Sequence, residues 1–304
     1  MAARFWRSLL GGELAFAAAL AAMLAAALSW PLGAALAIAL ALSVLVPGVF
    51  VAASFVIAAL LAPGGTVRLV HTLRALLTEA IEFNLAVLAM ALPREPLRAI
   101  GAGAATPAAG SGGPLLLIHG IVCNYSIWRP WLERLQAAGF CPVRAVNLEP
   151  LFADIEVHAT RVAHEVRALQ SETNGARVSI IAHSMGGLVA RAALRRLGPQ
   201  SIRRIVTIAS PHHGTRLARS FPWLTPMRQM APDSSWLRAL NGAQEGHLAA
   251  PLTSIYSLED NLVVPARSSR LEGAHSLELR GFGHLGLLSS RRAIERTLAA
   301  LADA

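Results

Sequence analysis

Residues 14–62 form one long stretch without a single charged side chain. A helix needs about 20 apolar residues to cross the hydrocarbon core of a bilayer, so this stretch is long enough for two crossings. It is interrupted at 29–33, where Ser-Trp-Pro-Leu-Gly combines two helix breakers with an aromatic residue typical of membrane interfaces. The sequence therefore predicts an N-terminal transmembrane helical hairpin, with spans at about 12–30 and within about 34–62.

The arrangement of this hairpin has alternatives. Pro47 and Gly48 fit either a kink in one tilted helix or a turn into a third, shorter segment. Arginines before the apolar stretch also fit the start of a secretory signal peptide that is later removed. If the hairpin is retained, arginines on both of its sides favour two cytoplasmic ends; cleavage or a third span would invert this topology. These arginines are Arg4, Arg7, Arg68 and Arg74.

Charge and cysteine content exclude several classes of function. The 27 basic side chains are all Arg, and 18 acidic side chains leave a formal net charge of +9. The arginines are scattered rather than clustered with aromatic residues, so nucleic-acid binding is not expected. Cys123 and Cys141 are too few for a disulfide framework and match no zinc spacing; they form either two thiols or one disulfide. We expect neither a metal site nor a cofactor.

Three regions follow one another along the chain. Residues 1–65 form the transmembrane region, 66–113 an amphipathic helix and a flexible linker, and 114–304 a domain of its own. The helix, at 66–92, could lie on the membrane surface or pack against the following domain. The glycine-rich linker is at 101–114. The helix is predicted from apolar residues at a helical period, namely Val67, Val70, Leu73, Leu77, Ile81, Leu85 and Leu88, alternating with Arg68, Arg74, Glu79 and Glu82.

The last region alternates short apolar runs with helical patterns. The runs do not alternate strictly between apolar and polar residues, which is typical of strands buried on both faces of a parallel sheet. They are at 115–118, 143–148, 178–182, 202–209, 252–257 and 276–279, and the helices are at 125–138, 155–170, 188–197 and 288–301. The pattern predicts an α/β fold with a mostly parallel sheet flanked by helices.

The segment Ala-His-Ser-Met-Gly-Gly at 182–187 lies where the third predicted strand passes into a helix. A serine between small residues at such a turn is typical of the G-x-S-x-G nucleophile elbow, although Ala182 here replaces the first glycine. The alternative is an ordinary helix-capping serine. Ser184 is the predicted nucleophile. The backbone N–H groups of Met185 and of Ile121, which follows the first strand, are the predicted oxyanion-hole donors.

A serine nucleophile needs an imidazole base and a carboxylate that orients it, in the chain order serine, acid, histidine for this kind of fold. Asp260 directly follows a predicted strand and is the predicted acid. Glu259 is its nearest rival, whereas Asp233 lies in a strandless region and Asp303 near the end of the sequence.

The predicted base is His284, which follows the last predicted strand in a glycine-flanked loop and begins a helix. His275 precedes that strand and should point to the opposite edge of the sheet. His212 and His213 could line the rim of a pocket, and His119 is predicted to shape the loop after the first strand.

Residues 214–251 are too long for a simple turn. They contain Trp223, Met227, Met230 and Trp236 among several prolines. We interpret this region as a cap whose apolar residues suit an acyl chain, although any one of these side chains could simply pack in a connecting helix.

Together these motifs resemble the bacterial triacylglycerol lipase and esterase branch of the α/β-hydrolase superfamily, over about residues 114–304. The segments that carry the resemblance are LLIHG at 116–120, Cys123-Asn124 with Trp128, VNLEP at 146–150, the elbow at 181–187, SPHHGT at 210–215, and 257–265 and 283–285 around Asp260 and His284. The resemblance implies an α/β-hydrolase fold and ester hydrolysis through an acyl-enzyme, with Ser184, His284 and Asp260 as the triad.

The expected protein is thus a membrane-anchored serine hydrolase acting on lipid-like or small carboxylic esters. Its expected location is the bacterial inner membrane, as a multi-pass protein with the catalytic domain in the cytoplasm. A thioesterase or an acyltransferase could use the same triad. A catalytically silent membrane scaffold is the alternative from another class.

Overall fold

A computed structural model describes residues 1–62, 69–92, 112–244 and 248–302. Three helices come first: α1 (Ala2–Leu28), α2 (Leu32–Leu61) and α3 (Leu69–Ala91). Six strands follow: β1 (Gly113–Ile118), β2 (Phe140–Val146), β3 (Val178–His183), β4 (Ile202–Ile208), β5 (Leu252–Ser257) and β6 (His275–Leu279). The other α-helices are α4 (Leu132–Ala137), α5 (Ile155–Glu172), α6 (Met185–Leu197), α7 (Thr225–Met230), α8 (Ser235–Gly242), α9 (His284–Ser289) and α10 (Arg291–Ala302).

The six strands form one parallel sheet in the order β2-β1-β3-β4-β5-β6. Successive side chains of β1 enter two different hydrophobic clusters: Leu115 and Leu117 belong to one, and Leu116 and Ile118 to the other. Because both faces are covered, the strands need apolar residues at every position, which explains their unalternating runs. The predicted α/β architecture is confirmed.

Two of the predicted helices have different bounds. The segment predicted as one helix at 125–138 is a 3-10 helix, Tyr125–Trp131, followed by α4. Pro130 lies at the end of this 3-10 segment and has no N–H to donate to a regular α-helical bond. The helix predicted at 288–301 is divided into α9 and α10 at Ser290, whose backbone is extended. Most of the predicted linker at 101–114 lies outside the described residues.

Helices α1 and α2 are both long and apolar enough to cross a membrane. The criterion is helix length and apolar composition, which a signal sequence also meets. The turn between them falls at 29–31, as the sequence predicts. Pro47 lies inside a continuous α2, so the third, shorter segment does not form.

Helix α3 lies within the region predicted as an amphipathic helix, and its burial shows which face packs against the protein. Its buried face includes Ala75, Glu79 and Met90, and the helix contacts α1, α2 and α9. The predicted apolar stripe points outward, and its described members are exposed: Val70, Leu73, Leu77, Ile81, Leu85 and Leu88. The face that carries the leucines is thus not the face that packs on the sheet domain.

Helices α1 and α3 share a hydrophobic core with one face of the sheet. Trp6 of α1 and Val87 and Met90 of α3 lie in the same cluster as the inward side chains of β1. Polar contacts add to this packing: Trp6 Nε1 donates to the Val122 carbonyl at 2.7 Å, and Asn124 Nδ2 donates to the Met90 carbonyl at 2.9 Å. The N-terminal helices therefore lie directly beside the loop that follows β1.

Cys123 and Cys141 are both free thiols. Burial raises the pKa of the Cys123 thiol to about 12, so this side chain stays protonated and unreactive near neutral pH. Of the two arrangements that the sequence left open, the structure has the reduced one.

Candidate active site

Ser184 lies at the turn between β3 and α6 with backbone angles of φ 56° and ψ −129°. A positive φ is costly for a residue with a Cβ and persists only where its surroundings enforce it, most often at functional sites. The Ser184 N–H donates to the Ile208 carbonyl of β4 at 2.9 Å, which fixes the turn. The side chain is half-buried at the carboxyl edge of the sheet, where ligands bind in open α/β folds.

Two glycines let the loop after β1 approach this turn. A Cβ on Gly186 would lie 2.6 Å from the carbonyl oxygens of both Ile118 and His119, and a Cβ on Gly120 would lie 2.9 Å from the Ser184 Cβ. Both distances are shorter than real Cβ contacts, so only glycine fits. The end of β1 is thereby packed directly against the start of α6.

The predicted oxyanion donors lie on the two sides of this contact. Ile121 follows Gly120 in the loop, and Met185 begins α6. Neither backbone N–H donates a hydrogen bond to another described residue, so both are free to bind a negatively charged oxygen.

Asp260 and His284 form a buried pair. His284 Nδ1 lies 3.0 Å from Oδ1 and 2.9 Å from Oδ2 of Asp260, and both side chains are nearly inaccessible. Asp260 Oδ1 also accepts the N–H groups of Leu262 and Val263 at 2.8 and 2.9 Å, which hold the carboxylate in place. An acceptor at Nδ1 keeps the proton on that nitrogen and leaves Nε2 able to accept one.

None of the rival candidates that the structure describes contacts the His284 ring. Glu259 Oε2 accepts the Gly281 N–H at 2.7 Å instead. The Asp233 side chain is exposed, and Asp303 lies outside the described residues. His275 is exposed at the start of β6, at the opposite edge of the sheet.

The pKa of His284 is raised above its usual value of 6.5. Burial is the largest single influence and lowers the pKa, but the charge and hydrogen bond of Asp260, together with the charge of Glu79, outweigh it. His284 can act as a base only when it is neutral, so any activity that depends on it falls as the pH drops through this raised pKa.

Ser184 and His284 line the same cavity, which has a volume of about 230 Å³. Ser184 Oγ makes no hydrogen bond with any residue in the described part of the chain. Without substrate, hydrogen bonds between nucleophile and base are often long and tighten only in the complex. His183, directly before the serine, lies against His284 with ring centroids 4.7 Å apart.

The N-terminal helices form much of the cavity wall. Their residues in the lining are Trp6, Phe50, Val51, Ser54, Glu79, Phe83, Val87 and Met90. The predicted cap at 214–251 contributes Met227 and Met230, whereas Trp223 is exposed and Trp236 Nε1 donates to Glu156. The prediction of a cap is therefore wrong for the two tryptophans, because α1–α3 occupy the space above the serine.

Glu79 is the residue of this site that sequence reasoning missed. It lies on α3 with 2% of its surface exposed, and its carboxylate accepts the N–H groups of Leu285 at 2.9 Å and Gly286 at 2.7 Å. Burial raises its pKa to about 7, although these two hydrogen bonds oppose the shift. In the sequence Glu79 looks like any charged residue of an amphipathic helix, so no local signal identified it.

Two other candidate histidines, His119 and His212, have structural partners. His119 Nδ1 lies 2.8 Å from the Gly120 carbonyl, and His119 Nε2 accepts the Leu148 N–H at 3.0 Å. Burial lowers the pKa of His119 to about 4, so it is neutral. His212 Nε2 lies 2.9 Å from Thr207 Oγ1. Within the described ranges, no group of three His, Cys, Asp or Glu side chains could hold a metal ion.

Comparison with known proteins shows what this chain is similar to. A family model described as "Putative serine esterase (DUF676)" matches residues 115–238. Over 114 residues the chain is 26% identical to a triacylglycerol lipase of Pseudomonas fragi, a match that covers 34% of this chain and 36% of the lipase. The chain thus spans little more than a third of the length of this relative.

Two solved structures show the same fold. Lipase B of Aspergillus fumigatus superimposes with a TM-score of 0.57 at 21% identity, over 66% of this chain and 54% of that one. The mature lipase BlEst2 of Bacillus licheniformis has a TM-score of 0.57 at 16% identity, over 68% of this chain and 99% of that one. The chain has the α/β-hydrolase fold, and its predicted resemblance to the lipase and esterase branch is confirmed.

Proposed function

We propose that this chain is a membrane-anchored serine hydrolase that cleaves carboxylic esters through an acyl-enzyme. Ser184 is the nucleophile, His284 the general base and Asp260 the carboxylate that orients it. The observation that carries the proposal is the strained turn at Ser184, which opens into the same apolar cavity as the buried Asp260–His284 pair. The matches to a serine esterase family and to a lipase support the same reaction.

The chemistry follows from the positions of these groups. His284 Nε2 takes the proton of Ser184 Oγ as the oxygen attacks the ester carbonyl. The backbone N–H groups of Ile121 and Met185 bind the oxygen that becomes negatively charged. His284 then gives its proton to the leaving alkoxide, and water repeats the sequence to release the acid. No step requires a metal or a cofactor.

The cavity favours an acyl group as its occupant. Its wall beyond Ser184 is formed by apolar side chains, including Phe50, Val51, Val87 and Met90. The polar lining residues include His284 and Asn261, whose side-chain oxygen accepts the His284 N–H. This lining suits an ester whose carbonyl group contacts Ser184 and whose hydrocarbon chain lies against the apolar residues of the N-terminal helices. We therefore propose lipid-like esters as the substrate class, with small carboxylic esters as the minimal form.

A thioesterase or an acyltransferase would use the same three side chains, so substrate preference distinguishes them. We expect kcat/KM for p-nitrophenyl esters to rise with acyl length by roughly 3- to 4-fold per methylene, until the cavity is filled, because each buried CH₂ contributes about 0.8 kcal/mol. The assay compares acetate, butyrate and octanoate esters with acyl-CoA thioesters of the same chains. A clear preference for the thioesters would replace the esterase assignment by a thioesterase.

We also propose that α1 and α2 span the membrane and remain attached to the catalytic region, with residues 1–65 as anchor, 66–113 as connection and 114–304 as hydrolase domain. Apolar side chains are exposed along both helices and along α3, and such a surface is stable beside lipid rather than water. Trp6 is buried against the loop that precedes Cys123. Removal of α1 as a signal peptide would open the cavity, which supports retention.

The location of the catalytic domain has a direct test. Arg4 and Arg7 at the start of α1, with Arg74 after α2, favour the cytoplasmic side for both ends. We expect a C-terminal green fluorescent protein fusion to be fluorescent and a C-terminal alkaline phosphatase fusion to be inactive in bacterial cells. An active phosphatase fusion would place the catalytic domain outside the cytoplasm and contradict the proposed topology.

A further inference from the structure

Three consecutive backbone N–H groups at the start of α9 are bound by side chains from distant parts of the chain. The His284 N–H donates to Asn261 Oδ1 at 2.9 Å. The next two, from Leu285 and Gly286, donate to the Glu79 carboxylate. The first N–H groups of a helix have no partner within the helix, so these side chains determine where α9 begins. His284 is the first residue of that helix.

The Glu79 carboxylate lies very close to the backbone on either side of His284. A Cβ on Gly283 would lie 2.5 Å from Glu79 Oε2, and one on Gly286 would lie 3.4 Å from the same oxygen. A side chain at Gly283 would thus displace the carboxylate, whereas one at Gly286 would only contact it. The backbone around His284 and the carboxylate of α3 are shaped to each other.

Burial of a charged carboxylate at the start of a helix is energetically unfavourable. Removing the charge from water costs more free energy than its hydrogen bonds contribute, unless these bonds are well formed. Burial raises the pKa of Glu79 to about 7. An asparagine or serine could cap these N–H groups at lower cost. Residues that conflict with local stability in this way are typical of functional sites.

We propose that Glu79 is a positioning residue for His284, so that helix α3 of the N-terminal region is part of the catalytic centre. This proposal rests on the proposed function of Ser184, His284 and Asp260. Glu79 acts by fixing the backbone of His284 and by adding a negative charge near its ring; it makes no hydrogen bond with the ring itself.

A second contact supports the same role for the N-terminal helices. Asn261, which accepts the His284 N–H, donates from Nδ2 to Ser54 Oγ of α2 at 2.7 Å. Ser54 Oγ in turn donates to the Val51 carbonyl at 2.6 Å. Both side chains that hold the start of α9 are therefore held by, or belong to, the N-terminal helices.

The charge of Glu79 gives the proposal a measurable signature. The titratable groups that face His284 are Asp260 after β5, Glu79 on α3 and His183 at the end of β3. Glu79 and Asp260 stabilise the protonated form of His284, whereas His183 is neutral because burial lowers its pKa. Because the pKa of Glu79 is about 7, its charge acts on His284 only in the upper part of the pH range in which His284 titrates; there, removing the charge should lower the pKa of His284 and move the acid limb of kcat/KM to lower pH.

The test uses the full-length protein in detergent or in vesicles, with three variants. Glu79→Gln keeps the size and removes the charge, and Glu79→Asp keeps the charge but is too short to reach both N–H groups. Glu82→Gln is the matched control, because Glu82 is on the same helix and makes no hydrogen bond with a described residue. Rates on a p-nitrophenyl ester are expressed per Ser184 labelled to completion by a fluorophosphonate, so that unfolded molecules do not count.

We expect Glu79→Gln to lower kcat by about 10- to 100-fold, since a displacement of about 1 Å in a catalytic group costs up to about 10²-fold. Its acid limb should move down by on the order of half a pH unit. Glu79→Asp should lower kcat and leave the acid limb within about 0.2 pH units of wild type. Glu82→Gln should change neither quantity.

Two results would overturn the role of Glu79 while leaving the triad intact. One is a Glu79→Gln enzyme with wild-type kcat and a wild-type acid limb. The other is a loss of activity that disappears when rates are counted per labelled site and that leaves the acid limb unshifted, because a residue needed only for folding behaves in this way. Absence of Ser184-dependent hydrolysis in the wild type is a different result, which would reject the proposed function itself.

Discussion

Replacing Ser184 by Ala is expected to lower kcat for p-nitrophenyl esters by about 10⁴-fold or more. The methyl group that remains cannot attack a carbonyl, so no acyl-enzyme forms. The residual rate would come from the oxyanion donors and from substrate binding alone. The variant should fold normally, because Ser184 Oγ makes no hydrogen bond with a described residue and alanine can take the same backbone turn at a modest cost.

The matched control is Ser171→Ala, which removes an exposed serine hydroxyl from α5. It should retain the wild-type kcat. The measurement is steady-state hydrolysis at saturating ester, with the melting temperature of each variant recorded beside it. A Ser184→Ala enzyme with nearly unchanged kcat would reject the mechanism.

Replacing Asp260 by Asn is expected to lower kcat by about 10³- to 10⁴-fold. His284 Nδ1 now donates to the carboxylate, whereas an asparagine can present its NH₂ group to the ring and stabilise the other tautomer. Nε2 would then carry the proton and could not accept one from Ser184. The same change in a well-studied serine protease lowers kcat by about 10⁴-fold, through the wrong tautomer rather than through unfolding.

The neighbouring carboxylate provides the control for this prediction. Glu259→Gln makes the same chemical change one residue earlier, at a side chain that binds the Gly281 N–H rather than the His284 ring. We expect its kcat to fall by less than about 10-fold, because the Asp260–His284 pair is untouched. An equal loss in the two variants would show that the loop as a whole, and not Asp260, is required.

Much of the fold could be predicted because its signals are local. Unbroken apolar runs such as 178–182 predict strands covered on both faces, and β3 and β4 match these runs closely. The turn at Ser184 is specified by small residues on both sides of it, since larger ones would clash with the β1 loop. The positions of Asp260 and His284 followed from the rule that functional residues of a parallel sheet lie at the carboxyl ends of its strands.

The part of the cavity wall that the N-terminal helices form could not be predicted in this way. The contact between Glu79 and Leu285 joins residues that are 206 positions apart, and no spacing rule links two such positions. The apolar stripe of α3 also predicts the wrong face of the helix as the buried one. Residues such as Leu77 look suited to a protein core but point outward, while the charged Glu79 is the buried one. When an apolar helix face can lie against lipid as well as against protein, the neighbouring elements determine which face is buried in the protein.

The cap prediction is wrong for Trp223 and Trp236 for a related reason, although Met227 and Met230 of the same region line the cavity. Large apolar residues in a long insertion often cover a binding site, which is why the sequence predicts a lid at Trp223 and Trp236. In the structure residues of α1–α3 line the cavity, and Trp236 instead packs against a hydrophobic cluster of the sheet domain and contacts Glu156. The N-terminal helices therefore have two apolar surfaces, one exposed on the outside and one that lines the cavity. The sequence alone does not distinguish the two surfaces.

The most direct test of the central claim is to treat the folded, full-length protein with a fluorophosphonate and to locate the adduct by peptide mass spectrometry. The proposed mechanism predicts a single adduct, on the peptide that contains Ser184, formed by the wild type and lost when the protein is unfolded beforehand or when His284 is replaced by Ala. An unlabelled Ser184 in active, folded protein, or an adduct on another serine that accounts for the activity, would contradict it.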